Sequence, residues 1–216
     1  LIGNEVPVKF GIMPVSEDEH ALAIDTVRFV GDAVAAVAAV SEDVAHAAAL
    51  AVKVDYEPLP TIGSVEDALA IPEPQIHNYA DDGNLHKKIS LKFGEVEAGL
   101  EDADVVLEDD FFYQGNNHLA LEQHSAVAVA EDDDRITVYS STQCPHYVHR
   151  ALTKTLDLPA SRIRVIACSN GGGFGGKSDP FNHEIVVAKL ALKLGRPVKI
   201  TLTREEVFYC HRGRHP

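Results

Sequence analysis

A glycine-rich stretch in the last quarter of this sequence is its best candidate for binding a ligand. Residues 171–178 are Gly-Gly-Gly-Phe-Gly-Gly-Lys-Ser, so five of the six positions from Gly171 are glycine. Glycine weakens helices and strands alike, and this density therefore predicts backbone with positive φ angles or in close contact with a ligand. An alternating run at 162–167 precedes the stretch, and helical apolar spacing follows Pro180. Because such a loop presents free backbone N–H groups beside the start of a helix, we expect it to bind an anion.

The same residues also match two nucleotide-binding motifs, a P-loop and the dinucleotide-binding pattern Gly-x-Gly-x-x-Gly at Gly171, Gly173 and Gly176. The spacing of 171–178 is that of a P-loop, in which the lysine and serine serve phosphate and magnesium. In a P-loop, however, these residues form the first turn of the helix, whereas Asp179-Pro180 here predicts an N-cap and a first-turn proline of a later helix. The strand predicted at 198–202 leads into Thr203-Arg204, where an acidic residue would be needed to hold magnesium or a ribose. An NTPase, a non-catalytic nucleotide-binding module and a turn without a ligand remain alternatives.

Composition narrows the classes of partner. The chain has 216 residues, 45% of them hydrophobic, and a formal net charge of −14. It can therefore form a globular core in one large or two smaller domains, and it lacks the basic surface that nucleic acid or an anionic membrane requires. We expect neither as a partner. The three cysteines are far apart and form no Cys-x-x-Cys pair, which argues against an iron–sulfur or zinc site within this chain and indicates a reduced, cytoplasmic location.

The periodicity of the apolar residues predicts a mixture of helices and strands. Alternating runs predict strands at 25–32 with a Gly-Asp turn, 33–40, 53–57, 87–93, 105–113, 125–130, 136–140, 162–167 and 198–202. Helical spacing and capping residues predict helices at 41–50, 65–70, 96–100, 145–156 and after Pro180. The acidic run 131–135 is expected to be a hairpin turn rather than a calcium loop, because it lacks the glycine and the distal glutamate of such loops. Residues 1–20 are expected to be an irregular lead-in, and 62–85 to connect two domains.

The glycine-rich stretch resembles the signature of the molybdopterin-binding large subunits of the xanthine dehydrogenase and aldehyde oxidase family. Residues 27–37 and 54–60 resemble the end of the α/β hammerhead domain of that family. The segments that resemble the start of its molybdenum-binding domain are 118–122, 141–146, 195–198 and 203–206. The resemblance covers nearly the whole chain in the family's order. It implies an α+β fold, with the C-terminal part of the hammerhead domain in 1–75 and the N-terminal part of the molybdopterin-binding domain in 76–216.

Within that family, residues 11–14 and 211–214 look most like the large subunit of 4-hydroxybenzoyl-CoA reductase. That enzyme carries an alanine and an arginine at the positions of Gly176 and Lys177, so the loop itself is closer to the wider group of hydroxylases. Purine hydroxylases typically place a glutamate directly after the lysine. Here Ser178 occupies that position, which argues against a purine substrate.

The resemblance also implies a cofactor and a set of site residues. Molybdenum is held by the pterin, by family analogy in its cytosine dinucleotide form, so no side chain is expected to ligate the metal. Gly172, Gly173, Phe174 and Gly175 are expected to contact the cofactor through their backbone. Gln143 is the expected catalytic residue, because the family's Thr-Gln-x-Pro motif donates an amide hydrogen bond to an oxo group on molybdenum.

The family also suggests a reaction and partners. The expected activity is the hydroxylation or reductive dehydroxylation of small aromatic, aldehyde or aryl-CoA substrates, with iron–sulfur and FAD subunits or domains as partners. The family's general base is a glutamate near the far C-terminal end of the large subunit, which this chain does not reach. We therefore expect the chain to be part of a longer subunit, whose remainder is a further partner, and to be inactive alone.

Several other polar residues have simpler interpretations. His118 and Glu122 lie four residues apart, but no third ligand has a fitting spacing, so we expect hydrogen bonding rather than metal binding. Lys177 and Ser178 are expected to cap the loop or to meet a phosphate.

The isolated cysteines and histidines have no evident chemical partner in the sequence. Cys144 and Cys168 are expected to be buried apolar residues rather than nucleophiles. His146 and His149, on the helix predicted at 145–156, are expected to be solvated.

Overall fold

The computed structural model describes residues 1–13, 17–78, 83–210 and 212–214. Pro14 and His211, which belong to the two segments resembling 4-hydroxybenzoyl-CoA reductase, lie outside these residues, as does Asp81-Asp82 of the predicted connection. The chain divides into two compact units. The first contains Leu1–Val54 and the described residues from Gly115 to Arg214, and the second contains the described residues of Asp55–Gln114.

Helices and strands alternate through most of the first unit. The helices of the described chain are α1 (Glu42–Ala51), α2 (Val65–Ala70), α3 (Val96–Glu101), α4 (Pro145–Leu156), α5 (Asn182–Leu194) and α6 (Arg204–Cys210). The strands are β1 (Asn116–Asn117), β2 (Ser125–Ala130), β3 (Ile136–Ser140), β4 (Ile163–Ala167), β5 (Val198–Thr201) and β6 (Gly213–Arg214). None of these helices, within the part of the chain described, is long and apolar enough to cross a bilayer.

A four-stranded sheet in the order β4-β3-β2-β5 organises the first unit. β2 pairs antiparallel with both β3 and β5, with Ala128 opposite Val138 and Val198, whereas β3 and β4 are parallel. A parallel pair needs a crossover connection, and α4 provides it between β3 and β4. As a result the carboxyl ends of β3 and β4 lie side by side, and the segments that leave them are neighbours.

Helices α4 and α5 cover the sheet and complete its core. Val148 and Leu152 of α4 are fully buried, as are Ile185 and Ala188 of α5, against alanines of β2 and the apolar residues of β3. The core also contains Val6, Phe10, Ala21 and Leu22 from the N-terminal segment. The segment 1–20 is therefore more than an irregular lead-in, because its apolar side chains extend the same core.

The predicted helices are confirmed, and serine caps explain where two of them begin. Ser41 and Ser64 cap α1 and α2, with their hydroxyl oxygens accepting from the N–H groups of Val44 (3.4 Å) and Asp67 (3.0 Å). α3 and α4 also form where their periodicity indicates, and α4 ends at Asp157 in the left-handed conformation. The hairpin of β2 and β3 is confirmed, with residues 132–134 in a tight acidic turn.

The N-cap predicted for α5 is wrong. The helix starts at Asn182 with Phe181 as its N-cap, and the Glu184 carboxylate accepts from the Phe181 N–H at 2.9 Å. Asp179 instead accepts from Nε of Arg212 at 2.9 Å. A carboxylate gains a charge-assisted hydrogen bond from a guanidinium, and Asp179 therefore has a stabilising partner away from the helix start. Arg212 lies 33 positions along the chain, so the sequence did not indicate this contact.

The strands predicted at 25–32, 33–40, 53–57, 87–93 and 105–113 are wrong as paired strands. The turn within the first segment does form, since Gly31 has φ 103° and Asp32 N–H donates to Phe29 O at 3.2 Å. The second segment forms only an isolated antiparallel bridge, between Ala35 and Ile2, with Ala36 bonded to Leu1 beside it. In the second unit Phe93 and Phe111 are 83% and 93% exposed, because no described strand lies beside their segments. Alternation of apolar and polar residues indicates a segment that can be half-buried as a strand. Such a segment forms a hydrogen-bonded ladder only where a partner strand is present.

The second unit contains α2 and α3 and a loop tied together by one amide side chain. Asn84 Oδ1 accepts from the Ile76 N–H at 2.7 Å, while Asn84 Nδ2 donates to Ile71 O at 2.8 Å. These bonds hold the described part of the predicted connection in a defined turn.

Glu184 gives the first unit a predictable dependence on pH. It accepts from the Ser140 hydroxyl at 2.5 Å and from the Phe181 N–H, and burial raises its pKa from 4.5 to about 7. Between these two values the folded carboxyl keeps a proton that the unfolded chain has lost, so the free energy of unfolding falls as the pH rises. Glu184→Gln, which preserves the acceptor for Phe181, should remove this loss and gain stability relative to wild type above pH 7.

Urea unfolding of both proteins below pH 4.5 and above pH 7 measures the effect. The matched control is Glu205→Gln, at an exposed position of α6, which should leave the dependence on pH unchanged. Equal dependence on pH in wild type and Glu184→Gln would contradict the assignment.

Candidate cofactor-binding site

The glycine-rich loop lies between β4 and α5, at the edge where β3 and β4 end. Gly172, Phe174 and Gly175 have φ angles of 101°, 51° and 91°, so the loop uses the left-handed region at three positions. Two tight turns follow, in which Gly176 N–H donates to Gly173 O (2.7 Å) and Ser178 N–H donates to Gly175 O (3.2 Å). Gly172 and Gly175 adopt a conformation that side chains disfavour, as predicted from the glycine content.

The remaining glycines allow three protein side chains to approach the loop closely. A Cβ atom at Gly173 would lie 2.5 Å from Oε1 of Gln143, and one at Gly176 would lie 2.7 Å from Nδ1 of His118. A Cβ atom at Gly171 would lie 2.8 Å from Cβ of Glu122. The glycines therefore serve packing within the protein as well as any approach of a ligand.

Gln143 lies in the turn between β3 and α4, and the loop fixes its amide group. Its Oε1 atom accepts from the N–H groups of Gly175 (3.1 Å) and Lys177 (3.2 Å), and its own backbone N–H donates to Lys177 O (2.8 Å). Only the carbonyl oxygen of an amide can accept two N–H donors, so the position of the Nε2 donor follows. The side chain is exposed, and Nε2 has no acceptor among the residues that the structure describes.

Glu122 and Lys177 form an ion pair beneath the loop. Glu122 Oε1 lies 3.2 Å from Lys177 Nζ, and Glu122 Oε2 accepts from the Gly171 N–H. The Lys177 side chain is 1% exposed and that of Glu122 is 31% exposed. The hydrogen bonding expected of Glu122 is confirmed, while His118 packs its ring against Gly176. Lys177 points towards Glu122, so its ammonium group is not available to a phosphate on the open face of the loop.

His124 is a residue of this region that the sequence analysis missed. Its buried ring forms a hydrogen bond of 2.9 Å between Nε2 and Gly176 O, and meets the ring of Phe181 edge-on at 5.4 Å. Burial lowers the pKa of His124 from 6.5 to about 4, so near neutral pH the ring is uncharged and Nε2–H is the donor. A histidine just before a strand carries no sequence signal for this role, because its partner lies 52 positions away.

The P-loop interpretation does not fit this geometry. Lys177 and Ser178 precede the first residue of α5, Asn182, and belong to a separate turn rather than to the first turn of the helix. The lysine that would bind phosphate in a P-loop is buried against Glu122. The nucleotide-binding alternative is therefore not favoured.

Several N–H donors of the loop have no acceptor among the residues that the structure describes. Gly172, Gly173 and Phe174 are successive residues whose N–H groups have no acceptor in the described part of the chain, and Gln143 Nε2 is a further donor. Gly175 N–H, in contrast, is used by Gln143. A loop with several unpaired N–H donors suits a group rich in oxygen and negative charge, such as the oxo, pterin and phosphate oxygens of a molybdopterin cofactor. The residues present thus fit that group.

Comparison with known families agrees with this geometry. Residues 76–216 match the family model of the molybdopterin cofactor-binding domain, and residues 3–60 match that of the aldehyde oxidase and xanthine dehydrogenase a/b hammerhead domain. The chain belongs to the xanthine dehydrogenase and aldehyde oxidase family. The expected α+β fold, hammerhead followed by molybdenum-binding domain, is thereby confirmed.

Members of this family resemble the chain over nearly its whole length. It is 42% identical over 198 residues to the xanthine dehydrogenase molybdenum-binding subunit of Escherichia coli O157:H7, covering 91% of this chain and 26% of the relative. It is 36% identical over 208 residues to the nicotinate dehydrogenase large molybdopterin subunit of Eubacterium barkeri, a match that covers 96% of this chain and 48% of the relative. The aldehyde oxidoreductase structure from Desulfovibrio gigas superposes with a TM-score of 0.86 at 28% sequence identity, and the match covers 99% of this chain and 24% of that structure's chain. The chain thus spans between about a quarter and a half of the length of these proteins.

The other candidate residues have ordinary structural roles. Cys168 is exposed and Cys144 partly exposed, so the prediction that both are buried is wrong. His146 is exposed, as expected, but His149 is not simply solvated, because its Nε2 lies 3.0 Å from Ala160 O and 3.2 Å from Ile163 O. In the described residues no group of three or more His, Cys, Asp or Glu side chains could hold a metal ion.

The contact between Gly173 and Gln143 predicts that the loop tolerates no side chain at this position. In Gly173→Ala the new methyl group would overlap Oε1 of Gln143, and the free energy of unfolding should fall by roughly 1–3 kcal/mol. Gly63→Ala is the matched control, since a Cβ atom there meets nothing within 4 Å, and it should change stability by less than about 0.5 kcal/mol. Urea unfolding compares the two variants, and equal stability of Gly173→Ala and wild type would refute the close contact.

Proposed function

We propose that this chain forms part of the molybdopterin site of a molybdenum-dependent oxidoreductase, with Gln143 as its catalytic hydrogen-bond donor. The observation that carries the proposal is the orientation of the Gln143 amide. Gly175 and Lys177 hold its oxygen, so its exposed side chain keeps Nε2 as an unused donor, like the N–H groups of Gly172, Gly173 and Phe174 on the same loop. When bound, the molybdenum cofactor would supply the two-electron redox chemistry that no side chain can provide.

The role of Gln143 follows from its rigidity. A donor that is already held in place need not reorient when negative charge develops on a nearby oxygen during a reaction, so its stabilisation of that charge carries no reorganisation cost. Gln143 also enters α4 directly, and its backbone N–H is held by Lys177 O at 2.8 Å. Both its backbone and its side chain are therefore fixed by the loop whose donors would hold the cofactor.

The backbone donors suit binding rather than catalysis. The N–H groups of Gly172, Gly173 and Phe174 have no acceptor among the described residues, and the two glycines add no side chain beside them. Gly175, with a positive φ angle, belongs to the turn that follows these donors. Asn170 supports the start of the loop by donating from Nδ2 to Thr142 O at 3.1 Å. These residues would orient the cofactor, exclude water from one side of it and leave the opposite side to the substrate.

The substrate we propose is a small aromatic heterocycle or an aldehyde, which the protein would hydroxylate. Support comes from the names of two relatives, which refer to nicotinate and aldehydes. A third name refers to xanthine, a purine, which the serine at position 178 argues against. The second candidate is reductive dehydroxylation of 4-hydroxybenzoyl-CoA, favoured by the sequences of residues 11–14 and 211–214.

Other parts of the proposal rest on the family resemblance. They are a cytosine dinucleotide form of the cofactor, iron–sulfur and FAD partner subunits or domains, further residues of the same subunit that supply the general base, and a cytoplasmic location. We also propose a domain boundary near residue 75, between the two matched ranges.

Replacement of Gln143 by glutamate separates its two functions. Glutamate keeps an oxygen that accepts from Gly175 and Lys177 but replaces the outward Nε2 donor with an acceptor. In the full-length protein with its partners, Gln143→Glu should retain molybdopterin and lose about 10²- to 10³-fold in kcat, as expected when one preorganised donor is removed. The control is Gln114→Glu, at an exposed position of the second unit, which should match wild type.

The assay combines molybdenum and pterin content with turnover of aldehyde, N-heterocycle and aryl-CoA substrates. Full-length wild-type protein without molybdenum would refute the proposed function. Unchanged kcat in Gln143→Glu would refute the catalytic role of Gln143 while leaving cofactor binding intact.

A further inference from the structure

We propose that the ion pair between Glu122 and Lys177 is a positioning device that sets the orientation of the Gln143 amide. This inference rests on the proposed function, because it concerns the same site. Neither Glu122 nor Lys177 faces the open side of the loop with a free charged group. Both are therefore positioning residues and not catalytic ones.

Glu122 connects the two ends of the glycine-rich loop. Its backbone N–H donates to Gly171 O at 3.3 Å, and its Oε2 accepts from the Gly171 N–H. Its other carboxylate oxygen lies 3.2 Å from Lys177 Nζ, six residues further along the chain. One side chain thus contacts both Gly171, the first residue of the loop, and Lys177 near its end.

Lys177 passes this constraint to Gln143 through its backbone. Its N–H donates to Gln143 Oε1 at 3.2 Å, and its carbonyl oxygen accepts from the Gln143 N–H at 2.8 Å. The same carbonyl accepts from the Thr142 hydroxyl at 3.2 Å. The two peptide groups of Lys177 therefore hold both the main chain and the side chain of Gln143.

The burial of Lys177 makes the pair important for the loop. Its side chain is 1% exposed, and its Nζ forms no aligned hydrogen bond to any residue described by the structure. Glu122 is consequently its compensating charge, through an ion pair that lacks hydrogen-bond alignment. Removing the carboxylate would leave a buried ammonium group without a counter-ion, which drives the lysine out of its position. The backbone of Lys177, and with it Gln143, would move as well.

A double-mutant cycle in the full-length protein tests this inference. The variants are Glu122→Gln, Lys177→Met and the two combined, with Glu205→Gln as the control at an exposed position. Hydrogen–deuterium exchange at residues 171–178 should become faster in both single variants, because the N–H groups of Gly175 and Lys177 lose their acceptor geometry. kcat should fall about 10- to 100-fold, as for other residues that orient a site through a neighbour, with KM little changed.

The double variant distinguishes a pair from two independent effects. If both residues act through one contact, its kcat should be no lower than that of the worse single variant. Multiplicative losses in kcat, or unchanged exchange at residues 171–178 in both single variants, would overturn the inference. If Lys177→Met fails to fold, Glu122→Gln decides alone, because its amide oxygen still accepts from Gly171.

Molybdopterin content separates this inference from the proposed function. The singly substituted proteins should retain the cofactor while exchange and kcat change. Wild-type protein without cofactor would refute the proposed function, whereas the exchange measurement would still test the pair.

Discussion

Two backbone N–H groups that converge on one amide oxygen determine the arrangement of the site. Gly175 and Lys177 both donate to Oε1 of Gln143, which joins the segment leaving β4 to the segment leaving β3. The sheet makes this possible, because β3 and β4 are parallel and end at the same edge. α4 separates them in sequence and returns the chain to that edge. The orientation of the donor thus follows from the topology of the sheet.

The glycines of the loop meet two distinct physical demands. Gly172 and Gly175 have positive φ angles, whereas Gly173 and Gly176 lack a side chain because Gln143 and His118 occupy that space. Beneath the loop, His124 holds Gly176 O as a neutral donor, and Glu122 balances the charge of Lys177. The loop therefore keeps the unpaired N–H groups of Gly172, Gly173 and Phe174, while Gly176 O and the charge of Lys177 have partners within the protein.

Local signals predicted the elements that depend on nearby residues. Ser64 caps α2, and the alternation of 125–130 and 136–140 gives a hairpin because its partner strand is the next one along the chain. The segments 87–93 and 105–113 show the same alternation without a described partner, so the sequence could not distinguish them from paired strands. The capping of α5 by Glu184, rather than Asp179, depended on a contact between Asp179 and Arg212 that sequence spacing does not reveal.

The candidate site could be predicted only in part, for the same reason. The glycine content indicated unusual backbone, but Gln143 came from the family resemblance, and its acceptor contacts lie more than 30 positions away. His124 carried no signal at all, since burial and a distant carbonyl define its role. Residues that act through contacts across the fold become visible only when the sheet brings them together.

A crystal structure of the full-length protein with its cofactor tests the central claim most directly. The account predicts molybdopterin against the face formed by Gly172, Gly173 and Phe174, with a cofactor oxygen within hydrogen-bond distance of Gln143 Nε2. A cofactor bound elsewhere, or a phosphate held by the Lys177 ammonium group on the open face of the loop, would contradict it.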